Sequence, residues 1–187
     1  MALRRAALAL SLLLILASPA SAGPFEDAEA AHKRDDYATA LMLLKPLADQ
    51  GHVEAQKLLG HMYEIGQGVP QEYSYAADWY GKAADSGDGD AIARLANVTA
   101  QRQAFKVAEA AHENGDNATA LPLLTELAYK GYAQAQKLLG YMYEFGQGVP
   151  QDYFQAAAWY SEASAKGNGY ARVRLVNLTA RGVLSPS

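Results

Sequence analysis

The chain has 187 residues, 50% of them hydrophobic, no cysteine and a formal charge of −4. That length carries one core or one short array of stacked units. The missing thiols exclude disulfides, zinc–thiolate sites and cysteine nucleophiles, and the acidic balance excludes the basic surface that nucleic acid requires.

Residues 1–22 read as a secretory signal peptide. Arg4 and Arg5 form a positive start, Ala6 to Ala17 an apolar run, and Ala20-Ser21-Ala22 a small-residue site with cleavage expected before Gly23. The run is too short to span a bilayer comfortably, which needs about 20 residues, and an uncleaved anchor is the alternative. No cysteine follows the cleavage site to carry a lipid. Without Arg4 and Arg5 the mature balance is 14 basic to 20 acidic residues, −6. The expectation is an exported protein, periplasmic or secreted.

After the leader, Ala28, Ala40, Leu41 and Leu44 begin a helical pattern. Ala55, Leu58, Leu59, Met62 and Tyr63 recur at helical spacing as one apolar stripe. Gly66 and Gly68 stop that helix, because glycine readily takes the positive φ of a helix end. Pro70 precedes a helix expected from about Glu72 to Ser86, burying Ala76, Ala77, Tyr80 and Ala83 and ended by Gly87. From Asp90 to about Asn114 no glycine or proline interrupts the chain, which predicts one long helix or two nearly continuous ones. No stretch alternates with a period of two, so no sheet is expected.

The chain also repeats itself. Ala28-Glu29-Ala30-Ala31-His32 returns eighty positions later as Ala108-Glu109-Ala110-Ala111-His112, and Gly66-Gln67-Gly68-Val69-Pro70-Gln71 returns as Gly146-Gln147-Gly148-Val149-Pro150-Gln151. The halves are 23–101 and 102–181, followed by a tail at 182–187. Inside each half a finer step of 36 carries Tyr37–Gly51 onto Tyr73–Gly87. A period in the mid-thirties predicts helix–turn–helix units stacked into an α-solenoid.

The run Ala55-Gln56…Leu59-Gly60…Met62-Tyr63…Gly66…Gly68-Val69…Tyr73…Ala76…Trp79-Tyr80…Ala83…Gly87, and its second copy from Ala135 to Gly167, resemble a Sel-one-like repeat, a relative of the tetratricopeptide repeat. The resemblance covers nearly all of the mature chain. It implies an all-α right-handed superhelical stack used as an adaptor or scaffold for protein contacts. One cysteine-rich branch of that family is linked to β-lactams, and this chain lacks the cysteines of that branch.

In arrays of this kind the first helix of each hairpin lines the concave groove. Steps of three and four select Glu54, Lys57, His61 and Glu64 on the side away from the apolar stripe, and Gln134, Lys137, Tyr141 and Glu144 in the second half. Phe25, Glu29 and His32, then Phe105, Glu109 and His112, extend the same face, with Asn97 and Asn177 continuing it. Aromatic rings beside mixed charges suit a protein or peptide partner. Asn97, Asn117 and Asn177 also head formal glycosylation sequons.

Catalytic signatures are absent. The four histidines share no zinc spacing, and no nucleophile elbow or phosphate loop occurs. No cofactor and no metal are expected. The chain is read as a non-enzymatic binder, with a cell-envelope enzyme or peptidoglycan-binding protein and a self-associating structural protein as the competing readings.

Overall fold

The computed structural model describes residues 23–183, so the leader expected at 1–22 and the last residues of the tail lie outside the described residues. Among the described residues there are nine helices and no strand. They are α1 (Pro24–Lys33), α2 (Tyr37–Asp49), α3 (Val53–Ile65), α4 (Tyr73–Ala84), α5 (Gly89–Glu113), α6 (Asn117–Tyr129), α7 (Ala133–Phe145), α8 (Tyr153–Ala165) and α9 (Gly169–Ala180). Each packs on its neighbours in the chain, as stacked hairpins do.

Local chemistry sets the helix ends. Asp36, Asp88, Asp116, Asp152 and Asn168 each accept a hydrogen bond from a backbone N–H of the first turn, satisfying donors that a helix start leaves without partners. Gly66 and Gly146 end α3 and α7 in the left-handed conformation, φ 81° and 67°. The helix expected from Glu72 begins at Tyr73, with Glu72 as its cap, and stops at Ala84.

Small residues let the helices meet. A Cβ on Gly60 would lie 2.7 Å from the ring of Tyr80, and one on Gly140 2.9 Å from that of Tyr160, so both aromatic rings lie directly on backbone. Tyr80 and Tyr160 are fully buried there.

The duplication boundary between 101 and 102 falls inside α5. The first half of that helix packs on α4 and the second on α6, and one core runs through Tyr73, Tyr80, Val98, Phe105, Leu124 and Met142. The two halves are copies in sequence, and each adds its own apolar cluster to this shared core.

A second link joins them. Gln71, in the loop between α3 and α4, donates from its backbone to the carbonyl of Lys166 (2.9 Å) and from its side chain to that of Gly131 (2.9 Å). Its Oε1 accepts the N–H of Ala133 at the start of α7, where Tyr132 provides no side-chain cap. Pro70 lies against Gly167, leaving no room there for a Cβ. The stack therefore curves tightly enough for a loop of the first half to touch two turns of the second.

Candidate functional site

The odd-numbered helices carry the expected groove residues, and these lie in separate hollows, two of which share Gln71 as lining. Phe25, Glu29, His32, Glu54, Lys57 and His61 meet in one of about 320 Å³, with Asp90 and Arg94 from α5 completing it. His112, Gln134, Lys137 and Tyr141 meet in another of about 590 Å³, completed by Pro70–Glu72, Lys166, Asn168 and Tyr170. Glu64 and Asn97 line a third, beside Gln101 and Lys130. Asn177 is exposed on α9 and lines none of these hollows.

Several expected surface residues belong to the interior instead. Phe105 is buried and stacks on Tyr132 with ring centroids 5.0 Å apart. Glu144 is 2% exposed; it accepts from the Tyr160 hydroxyl (2.9 Å) and pairs with the Arg174 guanidinium through two nitrogens. Glu64 is the first-half counterpart. Tyr80 donates to it at 2.6 Å, while Arg94 and His61 stand 3.8 and 4.0 Å away. Helical spacing places Glu64 and Glu144 on the polar side of their helices, but the two helices that follow each cover that side.

Burial opposes ionisation of Glu64, yet nearby His61, the hydrogen bond from Tyr80 and the charge of Arg94 outweigh it and hold the carboxyl below its usual range. Burial, then the Glu64 carboxylate, push the Tyr80 hydroxyl up, so it stays a donor.

The two hollows differ in charge. In the first, Lys57 meets Asp88 (3.2 Å), Glu54 (3.3 Å) and Asp90 (3.6 Å), and Arg94 meets Asp90 (3.1 Å). Burial works against the Lys57 charge, and the Asp88 and Glu54 carboxylates overcome it. In the second, Gln134, Asn168 and Tyr170 stand where the first has Glu54, Asp88 and Asp90. Among the described residues Lys137 has no carboxylate partner. The one acid on this wall, Glu72, caps α4 through the N–H and hydroxyl of Ser74.

Comparison with known proteins identifies the repeat. The Sel1 repeat model matches residues 30–52, 53–88 and 133–168. The chain belongs to the Sel1 repeat family. Proteins built from Sel1 repeats generally mediate protein–protein interaction. This Sel1 repeat chain is 32% identical over 151 residues to a chitin synthase regulator of Saccharomyces cerevisiae, covering 77% of this chain and 21% of that protein. It is 30% identical over 152 residues to chitin synthase regulatory factor 4 of Schizosaccharomyces pombe, covering 76% and 21%. It thus spans about a fifth of the length of these curated relatives. The crystal structure of a Sel1 repeat protein from Oxalobacter formigenes is 29% identical, covers 75% of this chain and 49% of that one, and superposes with a TM-score of 0.39.

Among the described residues of this Sel1 repeat protein, no helix is long and apolar enough to cross a membrane, and no group of three His, Asp or Glu residues could hold a metal ion. Sequence reasoning missed Gln71, Asp88, Asp90, Arg94, Lys166 and Arg174. Repetition marked three of them, since Gln71 and Arg94 recur as Gln151 and Arg174, whereas Asp88, Asp90 and Lys166 do not recur.

The depressed Glu64 carboxyl has a pH consequence. Its stabilisation is fully present above the usual Glu range, about pH 4.3, and is lost as pH falls through the lower folded value. Thermal melts from pH 6 to pH 3 should fall more steeply for the parent than for Glu64→Gln. Parallel curves would remove Glu64 from the acid response.

Proposed function

We propose that this chain is an exported, non-catalytic adaptor that takes an extended segment of a protein partner on its concave face and holds a carboxylate of that segment at Lys137. The observation that carries the reading is the contrast between equivalent lysines: Lys57 is neutralised by three acids, and Lys137 lines a larger hollow from which those three acids are missing. A half-buried cation beside Tyr141 and Tyr170 offers an acidic peptide charge pairing and rigid aromatic contact together. The fungal relatives, named as regulators of another protein, support an adaptor role. Export rests on the composition of residues 1–22.

Crosslinking capture from native envelope extract tests the reading, with parent protein beside Lys137→Glu after circular dichroism shows equal helicity. One partner held by the parent and weakened at least about tenfold by Lys137→Glu is the expected result. Equal capture by both, or capture of nothing, refutes the groove as the binding surface.

A further inference from the structure

We propose that copies of this chain join head to tail, the C-terminal end of one docking on the N-terminal end of the next by repeating the junction that links its own halves. This self-contact is separate from partner binding in the groove.

The internal junction has a donor edge and an acceptor edge. On the donor side stand Pro70, Gln71 and Tyr73. On the acceptor side stand the turn at Gly131–Ala133, the turn at Lys166–Gly167, and Phe105. Gln71 bonds to Lys166, Gly131 and Ala133, Pro70 fills the space over Gly167, and Tyr73 sits edge-on to Tyr132 with centroids 4.4 Å apart.

Eighty positions on, the donor edge recurs with the same residue types: Pro150, Gln151 and Tyr153. Gln151 is exposed, and among the described residues its amide donates to the Glu144 carbonyl and the Tyr153 hydroxyl. Tyr153 is half-buried where Tyr73 is 5% exposed.

Eighty positions back, the acceptor edge recurs at the other end of the molecule as Gly51, His52, Val53, Ser86, Gly87 and Phe25. Its shape is kept. Gly51 and Gly87 have φ 90° and 85°, against 87° and 84° at Gly131 and Gly167. Phe25 stacks on His52 at 4.8 Å and 24°, as Phe105 stacks on Tyr132 at 5.0 Å and 26°. Among the described residues a Cβ on Gly51 or Gly87 meets nothing within 4 Å, whereas one on Gly167 would lie 2.8 Å from Pro70.

The helix ends also register. Ala180, the last residue of α9, corresponds to Ala100 in α5, and Pro24, the first of α1, corresponds to Ala104. A docked copy would therefore set its α1 where the second half of α5 lies, with no overlap of the two helices. The backbone carbonyls of Gly51 and Ser86 and the N–H of Val53 would take the place of those of Gly131, Lys166 and Ala133. Because donor and acceptor are different surfaces, the contact is heterologous and each added copy presents a new donor edge.

Sedimentation velocity of the full chain, purified as the cell processes it, should show monomer, dimer and longer species growing with concentration. Gln151→Arg blocks the donor edge and Val53→Arg the acceptor edge, and each alone should weaken self-association at least about tenfold. Their mixture should form a dimer and nothing larger, because each variant keeps the edge the other has lost. Pro150→Arg serves as a second donor block should Gln151→Arg lose helicity. A parent that stays monomeric, a blocked variant that dimerises as well as the parent, or a mixture that forms no dimer each overturns the proposal.

Discussion

Arg174→Met should be among the most damaging single substitutions in this chain, costing about 3–5 kcal/mol and lowering the melting temperature by about 10 °C. Arg174 pairs with a carboxylate that is 2% exposed, so removing the guanidinium strands a charge that water cannot reach. The equivalent Arg94→Met should cost less than about 1 kcal/mol, because Arg94 stands 3.8 Å from Glu64 and is 41% exposed. Adding Glu144→Gln to Arg174→Met should recover much of the loss, since the stranded charge goes with it. Thermal unfolding followed by helicity compares the three variants. Equal and small losses at the two arginines would show that the Glu144 pair is not a buried one in solution.

Gln71→Ala should destabilise the protein by about 2–3 kcal/mol, and Gln151→Ala by about 1 kcal/mol or less in dilute solution. Both glutamines follow the same Gly-Gln-Gly-Val-Pro run, and both donate to the carbonyl of a glutamate at the end of the preceding helix. Only Gln71 goes on to satisfy Gly131 and Ala133, sixty or more residues away. Its loss leaves a carbonyl and an N–H at the start of α7 without partners. Urea unfolding at micromolar concentration measures the difference. Equal effects would mean that water replaces Gln71 at the junction without cost.

The helices were legible because their causes are local. The stripe of Ala55, Leu59 and Met62 and the left-handed glycines each act within a few residues, and the long α5 followed from an uninterrupted run. The groove residues were partly legible. Lys57, His61, Lys137 and Tyr141 lie in hollows on the helices that predicted them. Glu144 and Phe105 shared that spacing and are buried, because helical periodicity identifies a side of a helix and says nothing of what later packs against it. The loss of three acids around Lys137 was written in the chain, but nothing local tied Asp88 and Asp90 to Lys57 until α5 was folded beside α3.

By itself, then, the sequence determined a duplicated stack of helical hairpins, because propensity, capping and repeat period are properties of short segments. The tertiary structure decided which of two identical residues is structural and which is open. Gln71 is engaged because the turns at Gly131–Ala133 and Lys166 follow it within reach, whereas the described residues after Gln151 carry only α8 and α9. Curvature is the physical reason. It sums small rotations over several hairpins and brings loops to turns sixty to ninety-five residues away, a distance over which no local pattern carries information.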